Sequence, residues 1–120
     1  MNTKLIEWAR NYINLSNAHD LDTIHTLFTA EATYHSAYFG EFKGHDAIHA
    51  MMVGFFERFP NAHWEVVEYR DIANNVVEFP FIMTGVDQTS GETVCRRGLE
   101  RIFFSSAGLI QRIMVLKPDS

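Results

Sequence analysis

The sequence predicts one α+β domain, with three helices packed on a strongly curved, mixed but mainly antiparallel sheet. Two observations predict it. Three helical stripes of apolar residues occupy the first half and are interrupted by one extended hairpin. After Pro60 only strand-like runs follow, so the helices must cover one face of the sheet those runs build. At 120 residues, the chain 1–120 forms a single domain able to bury a core without disulfides or metals as staples.

Each element has its own signal. Leu5, Trp8, Ala9, Tyr12 and Leu15 recur at three- and four-residue steps, which makes the opening segment an amphipathic helix. Asn17-Ala-His-Asp20 breaks that helix. Asp20 can cap a second, short one with Leu21, Ile24, Leu27 and Phe28 as its inner stripe. Alternation over Ala32–Ser36, followed by Tyr38–Phe42, reads as a hairpin. Gly44 precedes a third helix, His45–Phe59, striped by Ile48, Met52, Phe55 and Phe59 and ended by Pro60. Four strand-like runs follow at 62–71, 75–86, 92–105 and 109–116. Asn74-Asn75, Asp87–Gly91 and Ser105–Gly108 join them into a meander. Wrapped around the helices, that sheet would keep an apolar inner face and a cavity at the open end of the cone.

Composition narrows the function classes. The net charge is -5, and the one basic pair, Arg96-Arg97, is flanked by Glu92 and Glu100, so nucleic acid is not an expected partner. No apolar run suits a membrane, and Lys4, Glu7 and Arg10 break up the opening residues where a signal peptide would be apolar. Cys95 is the single cysteine, so a reducing, cytoplasmic setting is expected and the thiol reads as a small buried side chain. The aromatic set Trp8, Tyr34, Tyr38, Phe55, Phe59, Trp64, Phe79 and Phe81 is expected to be mostly core, and the minority lining a pocket favours a small, flat hydrophobic ligand with one or two polar handles.

The element order, Asn17-Ala-His-Asp-Leu-Asp22 between helices and Gly44-His-Asp-Ala-Ile48 opening the third, resembles the NTF2-like superfamily. Within it the chain is similar to the SnoaL-like and ketosteroid-isomerase-like branch, from Ile6 to Val115. The last hairpin, Gly91-Glu-Thr-Val-Cys-Arg-Arg-Gly-Leu-Glu-Arg-Ile-Phe-Phe104 with Gly108-Leu-Ile110, carries the same resemblance. It implies the cone fold, a homodimer and no cofactor. It also implies a small-molecule-binding domain, either an isomerase, cyclase or dehydratase moving a proton on a hydrophobic, steroid- or polyketide-like carbonyl compound, or a non-catalytic ligand-binding or dimerisation module. In ketosteroid isomerase a tyrosine and a protonated aspartic acid hold the oxyanion while another aspartate moves the proton. The tyrosine matches Tyr12. Ser36, with His35 beside it, stands where the proton-moving aspartate falls, and Leu99 stands near the second donor.

The candidate site therefore comprises Tyr12, His35 and Ser36 for catalysis, with Trp8, Phe55, Phe59, Phe81, Arg97 and Leu99 around the ligand. Alternation puts His35 and Ser36 on opposite faces of one strand: the family register turns Ser36 inward, and a one-residue shift would turn His35 inward instead. Imidazole can take up or release a proton near neutral pH, so His35 is the candidate base. On the run 92–105, Cys95, Arg97, Leu99, Arg101 and Phe103 share one face, and Val94, Arg96, Gly98, Glu100 and Ile102 the other. Facing inward, Arg97 would clamp a ligand carboxylate or phenolate. Facing outward, it would pair with Glu65, Glu68 or Glu78, which is the favoured arrangement. Ile102 and Ile113 are expected on the outer face as dimer contacts. His45 and His49 share a helical face beside Asp46, but no third ligand is evident, so no metal is expected.

Overall fold

The computed structural model describes residues 3–118. Its elements are α1 (Thr3–Asn17), α2 (Leu21–Thr26), β1 (Phe28–Ser36), β2 (Gly40–Lys43), α3 (His45–Arg58), β3 (His63–Glu65), β4 (Arg70–Ala73), β5 (Val76–Val86), β6 (Thr93–Phe104) and β7 (Ile110–Leu116). The strands form one open, curled sheet in the order β2-β1-β7-β6-β5-β3, with β4 beside β3 along the same edge of β5. β1 and β7 run parallel, and every other pairing is antiparallel. This is the mixed, mainly antiparallel α+β cone that the sequence predicts.

The helices form for the reasons their sequences suggest. Leu5, Ala9, Tyr12, Ile13 and Ser16 are the buried stripe of α1, which packs on β3, β4 and β5. Asp20 caps α2 by accepting from the Thr23 N–H at 3.2 Å and the Thr23 hydroxyl at 2.8 Å. Gly44 enters α3 at φ 87°, a conformation natural to glycine, and Ile48 and Met52 turn toward the core. Between helices and sheet, Ile24, Ile48, Phe59, Val77, Phe79, Met83, Ile102, Ile110 and Ile113 are fully enclosed. Among the described residues no helix is long and apolar enough to cross a membrane.

Three expectations are corrected. The run 62–71 is two strands, because the four residues between Glu65 and Arg70 lie opposite only three between Glu78 and Ile82. The central one of those three is Pro80, which has no N–H for a ladder, so the chain bows away there and resumes as β4. Asn17 holds the short β3 against α1, accepting from the Trp64 N–H at 2.8 Å and donating to the Trp64 carbonyl at 3.0 Å. Second, Ile102 and Ile113 lie on the inner face and are wholly buried, so they cannot supply a dimer contact. Third, Cys95 is exposed, because its strand face points outward.

Candidate functional site

The open end of the cone holds a cavity between the helices and the concave sheet. Its volume is about 60 Å³. Tyr12 and Ser16 come from α1, Tyr34 and Ser36 from β1, and Met51, Met52, Phe55 and Phe56 from α3. Trp64, Phe81, Met83, Glu100 and Val115 complete the wall from the later strands. The Phe81 ring packs against the backbone of Gly98, where a Cβ would come within 2.4 Å of it. The glycine therefore lets the aromatic floor of the cavity sit down on β6.

Glu100 dominates the electrostatics. It is 4% exposed, and its Oε2 is enclosed with no hydrogen-bond partner among the described residues. An isolated buried carboxylate is costly, so the proton is retained. Burial pushes the Glu100 carboxyl up to about 8. Tyr12 and Tyr34 are held above the ordinary phenol value, first by burial and then by the charge Glu100 carries when ionised. At neutral pH these groups are predominantly protonated.

Ser36 is a donor as well. Its Oγ accepts from the N–H groups of Tyr38 at 3.0 Å and Phe39 at 3.2 Å, which occupies its lone pairs and shapes the turn into β2. Only its O–H remains to give, so Ser36 is no base. That turn roofs the mouth: the Tyr38 hydroxyl donates to the Arg97 carbonyl at 2.7 Å. The Arg96 guanidinium lies 4.8 Å from the Tyr38 ring centre and 5.3 Å from that of Phe39. The cavity thus gathers proton donors in an apolar shell, an arrangement suited to an oxygen that carries or develops negative charge.

Of the residues expected at the site, Tyr12, Ser36, Phe55 and Phe81 line the cavity together. Trp8, His35, Phe59, Arg97 and Leu99 do not. Trp8 packs lower in the cone against Phe104, centroids 5.5 Å apart, and over Gly108. Phe59 is buried behind Phe55, at 5.1 Å. The His35 side chain is 43% exposed and faces Glu41, 3.7 Å away, on the outer surface. Arg97 and Leu99 fall on the outer face of β6 because Arg101, four and two residues on, faces Glu78 of the neighbouring β5 at 2.8 Å. Glu78 also pairs with Arg70 at 3.2 Å, so its expected pairing with Arg97 is replaced by these two. Fixing that face outward turns Arg96, Gly98 and Glu100 inward. Glu100, Tyr34 and Arg96 are thus the site residues missed, and the outward Arg101–Glu78 pair was the signal that could have found Glu100.

Fold and cavity together define a cone-shaped α+β domain with an interior site of buried proton donors. The SnoaL-like domain family matches residues 9–113, and the chain belongs to that family. No curated protein matches it significantly by sequence. Among solved structures, it is similar to SalBIII, an epoxide hydrolase/cyclase-like enzyme of pyran ring formation in the polyether salinomycin. The TM-score is 0.86 at 16% identity, covering 95% of this chain and 90% of that one. An NTF2-like protein of unknown function from Exiguobacterium sp. 255-15 matches with TM-score 0.82, 17% identity and coverage of 94% and 99%. A hypothetical protein with a ketosteroid isomerase-like fold from Catenulispora acidiphila DSM 44928, in complex with trimethylamine, matches at 0.81, 14% identity and coverage of 91% and 83%. At such identities the likeness concerns the fold.

Proposed function

We propose that this protein binds a flat, hydrophobic carbonyl compound and moves a proton on it, with Glu100 as the proton carrier and Tyr12 and Tyr34 as donors to the carbonyl oxygen. The observation that carries this reading is the enclosed Glu100 carboxyl, whose Oε2 has no hydrogen-bond partner among the described residues and which lines the same cavity as both phenols. A carboxyl raised to about 8 is about one-tenth ionised at pH 7, which suits a group that both takes and returns a proton. In the ionised fraction Glu100 removes a proton from the carbon next to the carbonyl. Tyr12 and Tyr34 hydrogen-bond the enolate oxygen, and Glu100 returns the proton to a carbon of the enolate. His35, on the outer surface, takes no part, and Ser36 contributes a hydrogen-bond donor.

The similarity to a cyclase-like polyether enzyme supports a polyketide-like ligand class. A cavity of about 60 Å³ admits the reacting edge of such a ligand, with the remainder lying outside it. A homodimer and a cytoplasmic setting belong to the same reading. Half-buried Leu99, Phe103, Met114 and Leu116 on the outer face of β6 and β7 support the first, and the exposed free Cys95 supports the second. The competing reading, binding without turnover, draws on the preponderance of donors over ionised bases in the cavity.

The test is deuterium incorporation next to the carbonyl of a panel of cyclic ketones, followed by NMR in heavy water. Proton transfer predicts catalysed exchange that Glu100→Gln abolishes while Trp64 fluorescence still reports ligand binding. A wild-type protein that binds these ketones with no exchange above buffer would establish the non-catalytic reading.

A further inference from the structure

We propose that His25, His45 and Asp46 form a transition-metal site of the zinc type on the α2–α3 surface, separate from the cavity. His25 lies in the last turn of α2, and His45 and Asp46 are the first two residues of α3. None of the three lines the cavity. The His25 Nε2 and His45 Nδ1 atoms are 3.1 Å apart, and each lies 2.9 Å from Asp46 Oδ1. Three ligand atoms of the kinds zinc prefers therefore form a nearly equilateral triangle. A tetrahedral zinc ion with bonds of about 2.0–2.2 Å sets its ligand atoms about 3.3–3.5 Å apart. The triangle needs to open by only a few tenths of an ångström, roughly the freedom of one side-chain rotation, to seat that ion.

Hydrogen bonding alone accounts poorly for the arrangement. The carboxylate oxygen only accepts, so both imidazoles must aim an N–H at a single atom from nitrogens in mutual contact. A cation on the axis of the triangle would instead use one lone pair from each. Nor is Asp46 committed to capping α3, since the helix has no side-chain cap bond and Asp46 Oδ1 faces the rings. The imidazoles are partly buried, with side chains 34% and 31% exposed, and their rings meet edge-to-face at 4.6 Å. Asp46 is 85% exposed, which leaves one side of the triangle open for water or another ligand. Two imidazoles and one carboxylate suit Zn²⁺, Co²⁺ or Ni²⁺ over the oxygen-seeking Mg²⁺ and Ca²⁺. His49 stands alongside, its ring 4.8 Å from that of His25 and its Nε2 3.9 Å from Asp22 Oδ1, as an outer partner. The spacing of His45 and His49 pointed to this helix but to the wrong pair. The second imidazole comes from α2, and the carboxylate is Asp46.

The experiment uses the full chain without a polyhistidine tag, stripped with a chelator and titrated with Co²⁺ by visible absorption and with Zn²⁺ by calorimetry. One equivalent should bind, with Co²⁺ giving the intense bands of a low-coordinate site. His25→Gln and His45→Gln should each weaken binding by more than the roughly 10–100-fold that loss of an outer partner costs, whereas His49→Gln should stay within that range. These positions are at the surface, and circular dichroism checks that each variant is folded. Absence of stoichiometric binding, or affinity unchanged in both His25→Gln and His45→Gln, would overturn the proposal.

Discussion

Replacing Glu100 with Gln should make the protein more stable at alkaline pH, and the size of the gain follows from the buried carboxyl. In the unfolded chain this group titrates near its ordinary 4.5, whereas in the folded protein burial raises it to about 8. Between those values the folded state holds a proton that the unfolded state has released. A raised folded pKa contributes stability that is whole below the unfolded value and is lost as pH climbs through the folded one. The loss is about 1.4 kcal/mol per pH unit, or about 4–5 kcal/mol over the window. Against a total stability of about 5–15 kcal/mol, that is a large share. Glutamine keeps the shape and cannot ionise, so the Glu100-dependent slope disappears. Urea unfolding of both proteins from pH 5 to 8.5 measures it. The gap between their stabilities should widen steadily in favour of Glu100→Gln up to about pH 8 and then level off. Parallel curves would mean that Glu100 ionises in the folded protein as it does in water, and that burial does not hold its proton.

Tyr12→Phe keeps the edge-to-face packing on Phe28, centroids 6.3 Å apart, and removes only the hydroxyl. It should slow ketone deuterium exchange by about 10²–10³-fold, as loss of one oxyanion donor does, with little change in thermal midpoint. Gly98→Ala drives a methyl to within 2.4 Å of the Phe81 ring and must push that ring into the cavity. Urea unfolding should show a loss of about 1–3 kcal/mol, and ketone binding read by Trp64 fluorescence should weaken at the same time.

The fold was legible where one periodicity governs one face. The stripe of α1, the Asp20 cap and the Gly44 entry to α3 are local signals, and the structure has all three. β6 resisted because both of its faces mix charge with bulk: Leu99 and Phe103 on one, Ile102 and Phe104 on the other. Only its neighbours decide which face is inside, and the pairing of Arg101 with Glu78 is information held by β5. The break between β3 and β4 was hidden for the same reason, since the proline opposite it lies on another strand. Periodicity also reports a face and not a depth. Trp8 and Tyr12 share the inner side of α1 one turn apart, yet only Tyr12 reaches the cavity. Alternation allowed only one of His35 and Ser36 inside, and which one depended on the register of β1 against β2 and β7, which buries Ser36. The meeting of His25 with His45 depends on how α2 docks on α3, which no local pattern encodes.

Whether Glu100 carries the proton is read directly from the titration of the glutamate side-chain carboxyl carbons by ¹³C NMR, with Glu100→Gln identifying the Glu100 signal. A buried, protonated Glu100 gives that carbon a midpoint near 8, displaced further when a ketone fills the cavity. A Glu100 midpoint close to 4.5 would show an ionised, solvated carboxylate at neutral pH, and the proton carrier assigned to this cavity would be lost.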